Sequence, residues 1–282
     1  MNVNAPPERP DSAGLAGNGL RPTVQIRSGW TVDRVSLAFL AAVLPSLAVA
    51  IFADGGSGLV RLLGIALAFT LGWQVLFGFT RGSPVGWDSV VTAITMSLLL
   101  PLSASLWQLA LATTVGVVLG ELIFGGRGRS FLNPAVVGLA FFSFSFPAEM
   151  ATASAALDPW PAFLGAVMLL LFRVISWRIL LGGYAGLILA SWVAGSLDAD
   201  LILSAPVAFG MVFLAADPVC AASTNPSRWL YGLLIGVLAV LFGSGAVGVI
   251  FAILLASVFA PLLDQIAVRL MPHLRRRAPW LS

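Results

Sequence analysis

The sequence contains no lysine, one cysteine and one histidine, and charged residues make up only 10% of its 282 positions. Because Cys220 is the single cysteine, the sequence excludes an internal disulfide and any zinc or iron–sulfur centre held by several cysteines. The histidine, His273, lies near the carboxyl terminus, so we predict no metal site built from Cys and His. All 15 basic residues are arginines spread along the chain, and a net charge of +3 does not indicate nucleic acid as a partner.

Apolar residues predominate in the sequence, in contrast to the few charged residues. They make up 59% of the chain, and the mean hydropathy is +0.98, whereas soluble domains carry about 25% charged residues. We therefore predict an all-α polytopic membrane protein in a lipid bilayer. Residues 1–33 are polar and lack an apolar segment followed by a cleavage site, so we predict a flexible tail and not a signal peptide.

Ten apolar runs follow this tail, and we predict that each is a transmembrane helix. Several are shorter than the roughly 20 residues of a simple span, which predicts broken or re-entrant helices. The runs cover residues 35–52, 59–79, 88–102, 105–124, 133–147, 161–180, 182–196, 201–216, 229–243 and 245–263. The predicted transmembrane domain is thus 34–264, followed by a basic tail at 265–282.

The arginine positions test this count, because basic residues in short loops favour the cytoplasmic side. If the amino terminus is cytoplasmic, fourteen arginines fall on that side and only Arg61 falls outside. Both termini are therefore predicted to be cytoplasmic. The fourteen are Arg9, Arg21, Arg27, Arg34, Arg81, Arg127, Arg129, Arg173, Arg178, Arg228, Arg269, Arg275, Arg276 and Arg277.

Ten spans divide into two sets of five, and an odd number per set gives the halves opposite orientations. We predict inverted repeats at residues 34–147 and 161–264. In each half, proline and small residues interrupt an apolar run, at 98–107 and at 214–223. Paired interruptions indicate a site between the halves, as in many transporters, although ordinary helix ends with prolines in loops would give the same pattern.

A turn rich in glycine and arginine, residues 125–132, runs directly into an apolar helix opened by Asn133 and Pro134. Asparagine suits the N-cap, and proline suits the first helical position. Since a helix amino terminus is partially positive, we predict that this turn faces an anionic or electron-rich group. The alternative is a flexible turn whose Arg127 and Arg129 extend to anionic lipid.

The pair Asp217-Pro218 repeats this pattern in the second half. A carboxylate at a helix centre costs about 2.5–3.5 kcal/mol in a bilayer, so it needs a partner or a function. Two interpretations remain open: Asp217 caps a short helix and pairs with Arg228, or it faces a path for a cation or proton. Cys220 is predicted to be a small packing residue.

Three stretches together resemble NqrB and RnfD, the membrane subunits of the sodium-translocating NADH:quinone oxidoreductase and of the Rnf ferredoxin:NAD oxidoreductase. They are residues 124–135, 217–232 and 254–264. The resemblance implies a ten-helix inverted-repeat subunit of the bacterial inner membrane, similar in fold to urea channels. It also implies bound flavin (riboflavin or FMN), coupling to Na⁺ or H⁺, and other membrane and peripheral subunits as partners.

The resemblance further implies a noncovalent flavin pocket and no catalytic side chain, because flavin itself carries the redox chemistry. Its implied lining is Gly126, Gly128, Ser130, Asn133 and Pro134. Asp217 and Gln74 are implied for the ion path. Two of these positions depart from the family pattern, since Ser130 replaces a usual asparagine and Gln74 replaces a carboxylate.

Family members attach FMN to the threonine of a Ser-Gly-Ala-Thr sequence in a long external loop. Here residues 148–160 form a short connection without that tetrapeptide, which argues against covalent FMN. Thr152, after Ala151, is the weak candidate that remains.

These features predict a membrane subunit of an ion-motive electron-transport complex, not an enzyme acting alone. Two alternatives stay open: a passive small-solute channel or transporter of urea-channel-like fold that has lost flavin, and a non-redox scaffold subunit. Flavin absorbance would distinguish the first function from the others, and solute flux would identify a channel.

Overall fold

The computed structural model describes residues 32–81, 86–151, 157–195, 197–243 and 245–277. Throughout these ranges the secondary structure is helical, with no strand. The helices are α1 Val32–Asp54, α2 Ser57–Arg81, α3 Asp88–Leu99, α4 Leu106–Gly120, α5 Pro134–Ser145, α6 Pro147–Ala151, α7 Pro159–Leu171, α8 Trp177–Val193, α9 Ala199–Ile202, α10 Ala205–Phe209, α11 Asn225–Leu241 and α12 Ala246–Arg277. A 3₁₀ turn, Leu122–Phe124, follows α4, and a π-helical segment, Gly210–Ala215, continues α10.

Each predicted apolar run contains one main helix, which confirms an all-α polytopic membrane protein. In the described part, four helical segments are long and apolar enough to cross a bilayer: Val32–Ala53, Ser57–Arg81, Leu106–Phe124 and Ala246–Arg269. The shorter apolar helices are Asp88–Leu99, Pro134–Ser145, Pro159–Leu171, Trp177–Val193 and Ala205–Ala215. Short helices therefore occur in both halves, as the run lengths predict.

The packing of helices in the first half is repeated in the second. Helix α4 packs against α2 and α5, as α11 packs against α8 and α12, and α1 packs on α3 as α7 packs on α10. Between the halves, α1 contacts α7 and α5 contacts α12. This pattern is expected for two copies related by an internal two-fold axis, and the repeats at residues 34–147 and 161–264 stay a prediction. The side of the membrane that each terminus faces stays a prediction.

Both predicted interruptions are non-helical. Helix α3 ends at Leu99 and α4 begins at Leu106, while the π-helical segment ends at Ala215 and α11 begins at Asn225. In the first interruption, the backbone N–H of Ser105 donates to Oε1 of Gln108 over 2.9 Å, which caps α4. The two interruptions follow the third helix of each half and lie at matching places in the repeat.

Glycines allow the backbones of α8 and α11 to approach closely. A Cβ atom added to Gly232 would lie 2.4 Å from the carbonyl oxygen of Ile179, and one added to Gly236 would lie 2.2 Å from that of Gly183. Such contacts are typical of membrane helices, where small residues at the interface replace the hydrophobic driving force available in water.

Of the two predicted tails, the structure describes most of the second and little of the first. Helix α1 begins at Val32, so nearly all of the predicted tail 1–33 lies outside the described residues. At the other end α12 continues to Arg277, so most of the predicted tail 265–282 is helical.

Candidate functional site

The amino terminus of α5 forms as its sequence predicts. Asn133 has extended backbone angles (φ −78°, ψ 124°), and its Oδ1 accepts a hydrogen bond from the backbone N–H of Ala135 over 2.9 Å. Pro134 occupies the first helical position, where its missing N–H would have no helical partner. The N-cap prediction is confirmed, and the cap fixes the direction in which Nδ2 of Asn133 can donate.

Asp217 organises the turn that interrupts the second half. Its side chain is 2% exposed, and its Oδ1 accepts from the backbone N–H of Val219 over 3.1 Å. Its carbonyl oxygen accepts from the backbone N–H groups of Cys220 and Ala221, over 3.2 and 3.0 Å. Cys220 is buried, as expected for a packing residue.

Asn133 and Asp217 meet in the interior and join the two halves. Nδ2 of Asn133 donates to Oδ2 of Asp217 over 2.9 Å, and Nη2 of Arg127 forms a salt bridge of 3.3 Å with Oδ1. The interpretation that Asp217 pairs with Arg228 is wrong, because Nε of Arg228 donates to the carbonyl of Ala222 over 3.2 Å. The short helix predicted after Asp217 is a turn in the structure, and Asp217 caps this turn through its Oδ1 and its carbonyl oxygen.

Three glycines explain why Arg127 is the partner. Gly125, Gly126 and Gly128 have positive φ angles of 105°, 93° and 89°, which side chains other than glycine rarely adopt. The backbone N–H of Gly126 donates to the carbonyl of Glu121 over 3.2 Å, which closes the turn against the end of α4. The turn therefore directs Arg127 inward, where it neutralises the Asp217 carboxylate.

The Arg127–Asp217 pair is almost fully desolvated, since the two side chains are 8% and 2% exposed. Removing one partner of a buried ion pair costs about 3–5 kcal/mol, because the other charge is left uncompensated. A cation that binds Asp217 must displace this guanidinium. In this structure the Asp217 carboxylate therefore serves mainly to connect the two halves.

A second buried polar cluster lies in the first half. Nε2 of Gln74 donates to Oδ2 of Asp88 over 3.1 Å and to Oε1 of Glu121 over 3.5 Å, while Oε1 of Gln74 accepts from the backbone N–H of Gly86 over 3.2 Å. Asp88 and Glu121 are 4% and 3% exposed. Neither acid belongs to a motif identified above, although a carboxylate at an apolar run is itself a signal of function.

A cavity of about 350 Å³ adjoins this cluster. Its lining includes Gln74, Asp88, Glu121, Gly126 and Arg127. Nε of Arg127 is buried and has no hydrogen-bond partner. The cavity thus has carboxylates on part of its wall and an unsatisfied cationic donor close by.

The residues predicted to hold flavin do not all face this cavity. Gly126 contributes to its lining, whereas Gly128 is exposed and Ser130 is buried elsewhere in the turn. Thr152, the candidate for covalent FMN, lies outside the described residues.

The start of α5, at Asn133 and Pro134, packs closely against α4. A Cβ atom added to Gly116 would lie 2.5 Å from the carbonyl oxygen of Pro134, and one added to Gly120 would lie 2.8 Å from the Cα of Pro134. These contacts leave no space for a flavin ring between Pro134 and α4. Open space lies on the other side of the turn, in the cavity lined by Gly126.

Asp264 fixes the second interruption to α12. It accepts three hydrogen bonds of 2.9 Å, from the backbone N–H and the Oγ of Ser223 and from the backbone N–H of Thr224. Oγ of Ser227 donates to the carbonyl of Leu263 over 3.2 Å. The segment 217–232 and the segment 254–264, both part of the resemblance described above, therefore contact each other.

Comparison with known proteins identifies the family. The model of the NQR2, RnfD, RnfE family matches residues 20–162 and 159–271. The chain is 32% identical to NqrB of the Na(+)-translocating NADH-quinone reductase from Chromohalobacter salexigens, over 94% of this chain and 79% of that protein. It is 33% identical to the protein of the same name from Pseudomonas aeruginosa, over 73% of this chain, and spans 65% of that relative's length. These matches confirm the resemblance to NqrB and RnfD, and the chain belongs to the NQR2, RnfD, RnfE family.

Proposed function

We propose that the chain is the membrane subunit of an ion-motive electron-transport complex of the NqrB/RnfD type, which holds flavin and helps to couple electron transfer to cation movement. Family membership supports this function, as do relatives named for sodium-translocating NADH-quinone reductase. The observation that carries the proposal is the cavity at Gly126, where the buried Asp88 and Glu121 carboxylates lie near the Arg127 guanidinium.

We infer that the flavin occupies this cavity and not the space around Pro134. A volume of about 350 Å³ is within the range of roughly 300–1,000 Å³ for cofactor pockets. Arg127 lines the cavity, so its guanidinium provides a positive group for a ring oxygen or nitrogen, and no atom lies within 4 Å of a Cβ added to Gly126. Flavin, when bound, supplies one- or two-electron transfer, which no side chain of the described residues provides.

The acidic pair provides the better place for a cation or proton. Asp88 and Glu121 are joined through Gln74, whereas the charge of Asp217 is already neutralised by Arg127. Carboxylate oxygens bind hard cations such as Na⁺, and either carboxylate would accept a proton. We therefore keep Gln74 on the proposed ion path. Asp217 contributes indirectly, because its salt bridge holds Arg127 beside the acidic pair.

We expect this subunit to assemble with other membrane and peripheral subunits in the bacterial inner membrane, with both termini in the cytoplasm. Purification of the tagged chain from its native membranes under mild conditions tests the proposal. The expected result is co-purification of these subunits and an absorption spectrum with flavin bands. The short connection around Thr152 predicts that acid releases this flavin without a covalent bond.

A matched pair of variants locates the flavin. Gly126→Asn fills the cavity, while Gly55→Asn introduces the same residue at another glycine with positive φ (69°) and open space around it. Asparagine tolerates this backbone conformation. We expect flavin to be lost only in Gly126→Asn. A colourless chain that purifies alone and conducts solutes in liposomes would support the channel alternative instead.

A further inference from the structure

A separate polar cavity lies in the second half, away from the acidic pair. It has a volume of about 140 Å³ and is bounded by the α7–α8 connection, the interruption after Ala215 and the first turn of α11. Its lining includes Arg173, Ser176, Pro218, Ser223 and Arg228. None of these side chains takes part in the flavin or cation proposal above.

Arg173, in the wall of this cavity, has a strained backbone conformation. Its φ angle is 56°, and among the described residues it is the one residue other than glycine with a positive φ. Helix α7 ends here, with backbone hydrogen bonds of 2.9 Å from Arg173 to Leu170 and from Val174 to Leu169. Glycine usually occupies such a position, and strain of this kind often marks a side chain with a function.

Two further groups add donors to the cavity. Nε of Arg228 donates to the carbonyl of Ala222 over 3.2 Å, which fixes the guanidinium and leaves its Nη groups available. Oγ of Ser176 is buried without a hydrogen-bond partner, although Ser176 is the N-cap of α8. The unused hydroxyl and the positive end of α8 therefore lie at the same wall as the arginines.

The positive charge of this cavity is not compensated by the chain. In the described ranges neither Arg173 nor Arg228 forms a salt bridge with a carboxylate. Asp264 accepts its hydrogen bonds from Ser223 and Thr224 and does not line the cavity. Arg173 is exposed and Arg228 is half-buried, so a ligand can reach both guanidinium groups from the surface. Oγ of Ser176 is the buried donor without a partner at this wall, and such groups are rare in proteins. Two accessible arginines beside this hydroxyl therefore point to an anionic ligand.

The matching place in the first half has a different character. The cavity at the α1–α2 connection and the interruption after α3 is about 10 Å³ in volume, and its lining includes Ala50, Leu59, Leu98, Leu100 and Leu102. The repeated fold alone therefore does not produce a polar cavity at this place. The first-half cavity includes Ser97 but no arginine in its lining, and Arg61 donates to the carbonyl of Leu102 over 3.1 Å instead. Of the two cavities, only the one in the second half has arginines in its wall.

We propose that the cavity at Arg173, Ser176 and Arg228 binds a phosphate group. Arginine is well suited to this ligand, because its planar guanidinium donates two parallel hydrogen bonds to phosphate oxygens. The Ser176 hydroxyl and the first N–H groups of α8 complete the set of donors. The group is supplied either by free inorganic phosphate or by the headgroup of an anionic phospholipid.

The test measures the thermal unfolding midpoint of the purified full-length chain. In detergent, inorganic phosphate is titrated against chloride at constant ionic strength, and a ligand that binds only the folded chain raises the midpoint. Arg173→Gly removes the charge and suits the left-handed backbone, so this variant should fold and should bind phosphate about tenfold more weakly or worse. Arg178→Gln is the control, because Arg178 lies over the ring of Trp177 and outside the cavity lining.

A second arm identifies the source of the phosphate. The chain is placed in nanodiscs of phosphatidylcholine with or without phosphatidylglycerol. Stabilisation by inorganic phosphate alone assigns a soluble ligand, and stabilisation by phosphatidylglycerol that Arg173→Gly abolishes assigns a headgroup. The proposal is overturned if neither arm shows a response, or if Arg173→Gly responds like the parent chain in both.

Discussion

The side-chain amide of Asn133 donates a hydrogen bond of 2.9 Å to the carboxylate of Asp217, although 84 residues separate them in the chain. Asn133 caps α5, the last long helix of the first half, and Asp217 lies in the interruption of the second half. Since Arg127 binds the same carboxylate, one buried acid connects the glycine-rich turn, the start of α5 and the second half.

Substitutions at Asn133 should separate its two hydrogen bonds. Asn133→Ser keeps an N-cap oxygen but loses the donor to Asp217, and Asn133→Ala loses both, so the alanine variant should be less stable by about 1 kcal/mol. Asn133→Asp keeps the cap but places a second carboxylate against Asp217, and we expect it to be the least stable of the three. Thermal unfolding in detergent measures the order, and equal midpoints for the three variants would contradict this account.

The close approach of α4 and α5 predicts a position-specific response to added methyl groups. Gly116→Ala should destabilise the fold by about 1–3 kcal/mol, because the new Cβ would overlap the backbone at Pro134. Gly72→Ala in α2 is the matched control, since no atom lies within 4 Å of its added Cβ, and alanine is the better helix former. A Gly116→Ala variant as stable as Gly72→Ala would show that α4 and α5 do not pack this closely.

The acidic cluster predicts sodium-dependent stability. Gln74→Glu places a third carboxylate beside Asp88 and Glu121, which lie 3.1 and 3.5 Å from the Gln74 amide. Repulsion should lower the thermal midpoint, and Na⁺ should restore it more than choline at the same ionic strength. Gln74→Met removes the amide without adding charge and leaves the acidic pair in place, so it should lose stability and respond to Na⁺ less than Gln74→Glu. Equal effects of Na⁺ and choline on Gln74→Glu would argue against a cation site here.

The predicted orientation can be tested with single cysteines. In a Cys220→Ser background, Asp158→Cys should react with an impermeant maleimide added to whole cells, because its loop is predicted to be external and Asp158 is exposed. Ser282→Cys should react only in inverted vesicles or after permeabilisation. Labelling of both sites from the same side would exclude the predicted topology.

Local sequence signals predicted the helices well. Asn133 followed by Pro134 specifies an N-cap through atoms two residues apart, and proline with small residues ends an apolar helix by removing backbone donors and side-chain packing. These effects act within a few residues, so the sequence contains them directly. The apolar runs likewise follow from the cost of exposing polar backbone to lipid.

Partners across the bundle could not be predicted in the same way. Arg228 is close to Asp217 in sequence and Arg127 is far away, yet the left-handed turn at Gly125 and Gly126 brings Arg127 to the carboxylate. Asp88 and Glu121 come together only because α2, α3 and α4 pack side by side. Such contacts depend on the tertiary arrangement, which the pattern of apolar runs does not fix.

A double-mutant cycle between Arg127 and Asp217 tests most directly the claim that this carboxylate joins the two halves. Arg127→Met and Asp217→Leu should each destabilise the fold by about 3–5 kcal/mol, because each leaves a buried charge without its partner. The double variant should lose much less than the sum, and Arg228→Met should show no coupling to Asp217→Leu. Losses for Arg127 and Asp217 that add to within about 0.5 kcal/mol would contradict the account.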